Sequence, residues 1–166
     1  MLSIRNAEEK DFERIMEIYH SAQEYMIRSG NPNQWKRSHP APALIREDIA
    51  RSICKVVCDE VGIHGVFALL EGADPTYARI EGGRWLNNAP YLTLHRVAGD
   101  GQVHGVFRCA VDYCKTLSPN LRADTHADNK TMQHLLEKNG FVKCGTIYLA
   151  SGDPRIAYQW TKNERP

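Results

Sequence analysis

The spacing of the apolar residues changes in the middle of the chain, at a turn that contains two glycines. Residues Tyr91–Val97 are rich in strand formers and predict a strand that leads into Gly99. After the turn, apolar residues recur every three or four positions as far as Leu117, which predicts an amphipathic helix. Ser118-Pro119-Asn120 ends this helix, and Leu121–Thr125 again has the pattern of a strand. This order predicts a βαβ unit at the centre of the fold.

The segments on either side of this unit predict paired strands and three further helices. The expected elements are a strand at Leu2–Asn6, helices up to Arg28 and over Ala43–Ile53, a hairpin of Cys54–Cys58 with Ile63–Leu70, a loop at Glu71–Asn88, a helix at Asp128–Asn139, and strands at Val142–Leu149 and Ile156–Trp160. Helix caps are expected at Asn6, with Glu9 as its returning carboxylate, and at Asp128. Together these patterns predict one α+β domain over residues 1–166, with a mixed, mostly antiparallel sheet flanked by about four helices.

The charge balance and the cysteines argue against several classes of function. With 21 Lys and Arg against 20 Asp and Glu, the formal net charge is +1, whereas a dedicated nucleic-acid binder usually carries a clear basic excess. The five cysteines lie in apolar segments without C-x-x-C spacing, so neither a disulfide framework nor a metal site is expected. No apolar run approaches the ~18 residues of a membrane span, which favours a cytoplasmic location without membrane contact.

The turn between the central strand and its helix has the local properties of an anion site. The first turn of a helix leaves backbone N–H groups without intrahelical partners, and the helix dipole adds partial positive charge there. Gly105 has no side chain, so a phosphate group can approach the backbone closely. The glycines at 99, 101 and 105 match neither G-x-x-x-x-G-K-[ST] nor G-x-G-x-x-G. On local physics alone, the turn is equally well an ordinary connection between a strand and a helix.

Two motifs in the second half of the chain resemble those of one acyltransferase family. Gln102–Phe107 (QVHGVF) resembles the Gln/Arg-x-x-Gly-x-Gly/Ala signature of the GCN5-related N-acetyltransferase (GNAT) family. Asn129–Phe141 resembles the second motif of that family, in which an Asn is followed by a short helix that ends in Gly-Phe. One helix and one strand separate the two motifs, and the order of the other elements also fits. The resemblance therefore spans essentially the whole chain.

The resemblance implies an enzyme that transfers an acetyl group from acetyl-coenzyme A, its cosubstrate, to the amine of a small molecule or a peptide. In the family, backbone groups at the end of the fourth strand bind the pantetheine arm, which corresponds here to His95, Arg96, Val97 and Ala98. In the family, the following turn binds the pyrophosphate, and the corresponding residues here are Gln102, Val103, His104, Gly105, Val106 and Phe107. The second motif contacts the coenzyme through its Asn, which corresponds to Asn129. No metal is needed, because the nucleophile belongs to the substrate. An exposed strand edge at the C-terminal hairpin leaves a homodimer open.

Two positions depart from the family pattern. The last residue of the first motif, usually Gly or Ala, is Phe107. Many relatives have a Tyr four residues before the Gly of Gly-Phe that protonates the departing thiolate, and Leu136 occupies that place here. Because leucine cannot donate a proton, the alternative to an enzyme is a module that binds acetyl- or acyl-coenzyme A as a sensor without turnover.

Catalysis needs a general base, since an amine with a pKa near ~10.4 must lose a proton before it attacks the thioester. His95 is the first candidate, because it lies on the strand expected to carry the acetyl site, and the Val97 amide is the expected oxyanion donor. His126, just past the next strand, is the second candidate. Each histidine has a structural alternative: hydrogen bonding inside the sheet for His95, and a helix-capping loop for His126.

Overall fold

The computed structural model of the protein describes residues 1–162, which form one seven-stranded sheet with four helices. The strands are β1 (Ser3–Asn6), β2 (Cys54–Cys58), β3 (Ile63–Leu70), β4 (Leu92–Gly99), β5 (Asn120–Thr125), β6 (Val142–Tyr148) and β7 (Pro154–Thr161). The helices are α1 (Phe12–Arg28), α2 (Pro42–Ala50), α3 (Val106–Leu117) and α4 (Lys130–Lys138). Single 3-10 turns lie at Glu9–Asp11 and, within the long loop before β4, at Pro75–Tyr77.

The strand order is β1-β2-β3-β4-β5-β7-β6, and each neighbouring pair is antiparallel except β4 with β5. Helix α3 forms the crossover between these two parallel strands, which no tight turn can join. The predicted α+β class with a mixed, mostly antiparallel sheet is confirmed, as is the central βαβ unit. Val56 and its neighbour Val57 are buried in two separate cores, because successive side chains of a strand point to opposite faces.

Two helix caps differ from the sequence prediction, each for a local reason. Glu8, not Asn6, precedes the first helical turn, and the Asp11 carboxylate accepts its backbone N–H at 2.8 Å. Asn129, not Asp128, caps α4, because its Oδ1 accepts the N–H three residues further on at 2.9 Å. None of the helices within residues 1–162 is long and apolar enough to cross a bilayer.

A β-bulge interrupts β4 at the centre of the sheet. Arg96 and Val97 together lie opposite Phe67 of β3, so the pairing shifts by one residue there. Arg96 has a φ of +52°, which is uncommon for a residue with a side chain. The Tyr19 hydroxyl donates to the Arg96 carbonyl at 2.7 Å, and the Arg96 guanidinium donates to Asp48 at 2.9 and 3.1 Å. Contacts from α1 and α2 therefore hold the bulge in place.

The strands β4 and β5 separate beyond the first residues of β4. Their parallel pairing is limited to Leu92 with Leu121 and Thr93 with Arg122. A cleft consequently opens between the ends of the two strands. The helices α3 and α4 follow these strands, so both helices begin at this edge of the sheet.

Candidate active site

A cavity of about 470 Å³ occupies the cleft between the diverging ends of β4 and β5. Apolar side chains from β4, α3 and α4 line one part of it: Leu94, Phe107, Met132 and Leu136. Polar and charged side chains line the remainder, and they come from the loop after α1, the β3–β4 loop, β5 and β7. The cavity wall therefore combines these apolar side chains, here termed the apolar channel, with charged ones.

His95 lies between two carboxylates in the polar part of this cavity. Its Nε2 is 3.0 Å from Asp74 Oδ2, and its Nδ1 is 3.9 Å from Asp124 Oδ2. The Tyr77 hydroxyl donates to that Asp124 oxygen at 2.6 Å, and burial raises the pKa of Tyr77, so the hydroxyl keeps its proton. No group of three or more His, Cys, Asp or Glu side chains within residues 1–162 is arranged to hold a metal ion.

Asp74 determines which nitrogen of His95 carries the proton. Burial raises the pKa of Asp74, but hydrogen bonds from His95 and from the hydroxyl and backbone of Thr76 lower it to about 2. An ionised carboxylate only accepts hydrogen bonds, so Nε2 of His95 is the donor. In the tautomer that this donation selects, the lone pair lies on Nδ1, which faces Asp124. A base oriented by a carboxylate is a recurring arrangement in nucleophilic and acid–base catalysis.

The turn from Gly99 to Phe107 lies at the same edge of the sheet. Gly105 has a φ of +83° and directly precedes α3, which explains why the helix begins at Val106 and not earlier in the turn. A Cβ atom added at Gly105 would meet no atom within 4 Å, so the backbone is open on that side. The Asp100 carboxylate accepts the Gln102 N–H at 2.9 Å, so the protein already satisfies that amide. The later amides, at the start of α3, lack intrahelical partners and attract anions.

The chain is similar in fold and sequence to a solved GNAT-family acetyltransferase from Streptococcus agalactiae. The two chains are 30% identical, the match covers 98% of this chain and 96% of that chain, and the TM-score is 0.87. The chain belongs to the GNAT family. The family predicted from Gln102–Phe107 and Asn129–Phe141 is confirmed by this relative.

Other solved structures share the GNAT fold at lower identity. A proposed acetyltransferase from Staphylococcus aureus is 23% identical over 96% of this chain and 99% of that chain, with a TM-score of 0.70. A GNAT-family acetyltransferase from Listeria monocytogenes is 17% identical over 96% of this chain and 94% of that chain, also with a TM-score of 0.70. At these identities the likeness concerns the fold alone. No protein-family model matches the chain, and no curated protein matches it either.

Both departures of this GNAT chain from the family motifs lie in the apolar part of the site. Phe107 is buried in the same core as Leu94, and it does not approach the open side of Gly105. Leu136 is also buried and lines the cavity, so position 136 offers no proton to a thiolate. Thr125 also belongs to the cavity wall, and its buried hydroxyl has no hydrogen-bond partner among residues 1–162.

Some of the residues predicted to bind coenzyme line the cavity of this GNAT protein, and others lie in the turn before α3. Val97 and Phe107 line the cavity. Ala98 is buried in the core on the side of α1 and α2 and pairs with Val66 of β3, so it is not part of the cavity wall. The exposed or half-buried residues of the turn are Gln102, Val103, His104, Gly105 and Val106.

The two remaining predicted residues have partners within the protein. Asn129 lines the cavity, but its Oδ1 caps α4 and its Nδ2 donates to Gln34 Oε1 at 2.9 Å, which ties α4 to the loop after α1. His126 is not part of the cavity wall, and its Nδ1 accepts the Asp128 N–H at 3.0 Å in the turn before α4. The structure therefore places His95, and not His126, in the cavity.

The sequence analysis missed several charged residues of the cavity, and three of them lie close to His95 or to the end of β5. Asp74 lies in the long β3–β4 loop, 21 positions before His95, where no local pattern distinguishes one carboxylate from another. Asp124 could have been predicted from the sequence, because it lies near the end of β5. The ends of the two parallel strands of a βαβ unit lie at the same edge of the sheet, which brings Asp124 close to His95 on β4. Arg155 is the second residue of the last strand, and it lies beside the end of β5 only because β7 is placed between β5 and β6 in the sheet.

A buried histidine supports the turn that precedes α3. His64 Nδ1 is 3.0 Å from Asp100 Oδ2, and its Nε2 is 3.1 Å from Asp59 Oδ1. Arg14 of α1 donates to the same Asp100 oxygen at 2.7 Å. The hydrogen bond with Asp100 raises the pKa of His64, with a smaller contribution from Asp59, while burial opposes the rise. The charge of His64 is therefore coupled to the carboxylate that holds the turn.

We expect His64→Gln to remove a pH-dependent part of the stability. The pKa of His64 is raised above the ~6.5 of an unfolded chain, so its protonation stabilises the fold fully below about pH 6.5. This contribution is lost as the pH rises through the raised pKa. The loss of unfolding free energy in His64→Gln, measured by urea denaturation, should therefore be larger at about pH 5.5 than at about pH 9. His20→Gln, exposed on α1, is the control. Equal losses at both pH values for His64→Gln would contradict the coupling.

Proposed function

We propose that this GNAT protein transfers an acetyl group from acetyl-coenzyme A to an amine, by direct attack of the amine within a ternary complex. One observation carries the proposal: His95, held by Asp74 with its Nδ1 lone pair available, shares a cavity with the bulge of β4 and the apolar channel. The channel suits a pantetheine arm, and the turn around Gly105 suits a pyrophosphate. The same cavity also leaves room for an acceptor.

The proposed transfer has a balanced sequence of proton and bond changes. Nδ1 of His95 takes a proton from the ammonium form of the substrate, and the nitrogen of the resulting neutral amine forms a bond to the thioester carbon. The Val97 N–H, at the bulge that interrupts the ladder with β3, donates to the carbonyl oxygen as charge develops on it. The carbon–sulfur bond breaks, its electron pair leaves with the sulfur, and the nitrogen gives up its second proton to the thiolate or to solvent. Asp74 and Asp124 stabilise the imidazolium that results.

The absence of a tyrosine at Leu136 is compatible with this sequence. A thiolate whose conjugate acid has a pKa near ~8.5 is a fair leaving group without a dedicated acid. The proton taken up by His95 is later returned to the thiolate or to solvent.

Two measurements test the proposal. Thermal shift with acetyl-coenzyme A, coenzyme A and ATP establishes whether the coenzyme stabilises the fold, as mass action requires for a ligand of the native state. Thiol release from acetyl-coenzyme A, followed over a broad panel of primary amines, then establishes transfer. We expect a rise of Tm with both coenzymes and not with ATP, and thiol release with a subset of amines.

The outcomes separate the enzyme from the sensor module. No stabilisation by either coenzyme would contradict both functions. Stabilisation without thiol release for any amine would favour the sensor, which the leucine at position 136 makes the second candidate.

A further inference from the structure

Arg155 lies in the wall of the cavity, and no carboxylate within residues 1–162 forms an ion pair with it. The residue is 6% exposed, at the start of β7. Its Nη1 donates to the Pro154 carbonyl at 2.8 Å and its Nη2 to the Gln34 carbonyl at 3.5 Å, both of which are neutral acceptors. No carboxylate oxygen of residues 1–162 lies within 4.0 Å of the guanidinium nitrogens. A guanidinium has five N–H donors, so most of this hydrogen-bonding capacity is unused.

Two other arginines with little exposure near the sheet are compensated. Arg96 forms two hydrogen bonds with the Asp48 carboxylate. Arg122 lies over the rings of Trp85 and Tyr91, at 4.0 and 4.1 Å from their centroids. Within the described part of the chain, Arg155 has neither a paired carboxylate nor an aromatic ring against its guanidinium. Unlike Arg96 and Arg122, it therefore lines the cavity without a compensating partner.

A buried cation without a counter-ion is unfavourable, because burial removes the water that solvates the charge. Burial accordingly lowers the pKa of Arg155, and the more distant Asp124 and Asp153 raise it only in part. A ligand that brings a negative charge into the cavity would remove this penalty. Guanidinium groups favour carboxylates in particular, since two parallel N–H donors match the two oxygens.

The pyrophosphate of the coenzyme does not explain this unpaired charge. The hydrogen bonds of Arg155 go to the loop after α1 and to its own strand, not to the turn before α3. Of that turn and the first residues of α3, only Phe107 reaches the cavity wall. Arg155 therefore belongs to the half of the cavity that remains for the acceptor.

We infer that the acceptor is an amino-carboxylate, that is, a small molecule with a free amine and a free carboxylate such as an amino acid. Arg155 binds the carboxylate, while the amine lies at Nδ1 of His95. Asp74 and Asp124 attract the ammonium form before it loses its proton. Two carboxylates near the base, Asp74 and Asp124, and a cation at the start of β7, Arg155, thus complement a zwitterion. This inference rests on the proposed function and names the substrate class of the same site.

The test compares each amino acid with its carboxamide, which has the same side chain but lacks the negative charge. The panel includes glycine with glycinamide and leucine with leucinamide. It also includes longer ω-amino acids with their amides, which vary the distance between the amine and the carboxylate. For the best pair we expect kcat/KM to be about 10- to 100-fold higher for the carboxylate, as hydrogen bonds to a charged group contribute that factor. The amine of the carboxamide is less basic than that of the amino acid, so a larger fraction of it is deprotonated at neutral pH. A difference in protonation would therefore favour the carboxamide and cannot explain a preference for the acid.

Variants at Arg155 assign the preference to one side chain. In Arg155→Gln we expect the carboxylate-to-amide ratio to fall to about 1, through a higher KM for the acid, while the Kd for coenzyme A stays within about twofold of wild type. Arg155→Lys retains the charge without the planar fork and should give an intermediate ratio. Arg122→Gln is the matched control: it also removes a buried arginine, but outside the cavity, and should preserve the ratio.

Equilibrium binding keeps the inference testable if no amine is acetylated. Isothermal titration of the same pairs into protein saturated with coenzyme A reports carboxylate-dependent binding without turnover. Binding of the acid that is lost in Arg155→Gln would uphold the inference, and an absence of thiol release would then count against the proposed function alone. The inference is overturned if wild type treats acid and amide alike, if Arg155→Gln weakens both equally, or if that variant instead changes coenzyme affinity or the choice of acyl group.

Discussion

His95→Ala lowers kcat for acetyl transfer about 10²- to 10⁴-fold at saturating acetyl-coenzyme A, the range expected for loss of a positioned general base. The reason lies in the geometry of the cavity. Asp74 holds the Nε2 proton at 3.0 Å, so the Nδ1 lone pair is the group that receives the proton of the amine. Alanine removes this imidazole, and the Asp124 carboxylate that remains accepts the hydrogen bond from Tyr77.

Three readouts distinguish a base from a structural histidine. The Kd for coenzyme A, measured by isothermal titration, should change little in His95→Ala, because the side chain lies in the polar part of the cavity. The residual rate should rise at high pH, where a larger fraction of the amine is already deprotonated. His20→Ala, exposed on α1, is the matched control and should retain wild-type kcat.

His126→Ala resolves the second sequence candidate in the same assay. Its ring accepts a backbone N–H before α4 and does not line the cavity, so we expect near wild-type kcat with a modest loss of stability. Undiminished kcat in His95→Ala, or a loss in His126→Ala as large as the one expected for His95, would remove His95 from the mechanism.

Gly105→Val raises the Kd for coenzyme A about 10- to 100-fold, which corresponds to the loss of one or two hydrogen bonds between backbone amides and a phosphate. The Cβ position of Gly105 is open in the free protein, with no atom within 4 Å. A side chain placed there occupies the space through which an anion would approach the amides at the start of α3. The φ of +83° also strains any β-branched residue, so some loss of stability accompanies the loss of affinity.

Gly82→Val separates the two effects. Gly82 has a φ of +69°, its Cβ position is equally open, and it lies in the β3–β4 loop outside the cavity. Both variants should lower Tm by similar amounts, but only Gly105→Val should weaken the binding of coenzyme A by titration calorimetry. Unchanged affinity in Gly105→Val would show that no phosphate approaches the backbone at this turn.

The order and type of the elements were accessible from the sequence, because their signals are local. The helical spacing up to Leu117 and the strand pattern of Leu121–Thr125 lie within short stretches of chain, and both elements are present. The caps were less accessible. Asn6 and Asp128 have suitable side chains, but Glu8 and Asn129 lie at the actual helix starts, since a cap depends on backbone geometry that neighbouring residues share.

The acid–base group of the candidate site was accessible only in part. His95 was identifiable from its place on β4, whereas its partner Asp74 comes from a loop whose path no periodicity describes. The choice between His95 and His126 depended on the direction of two side chains at the ends of parallel strands. Only the divergence of β4 and β5 decides which of them reaches the cavity.

By itself, the sequence determined the GNAT family, the βαβ unit and the turn at Gly99–Phe107, because motif spacing and hydrophobic period are properties of contiguous residues. The tertiary structure alone decided that Asp74 orients His95 and that Arg155 faces the acceptor half of the cavity without a counter-ion. These relations join residues that are far apart along the chain, and sheet order, the bulge in β4 and the packing of loops bring them together.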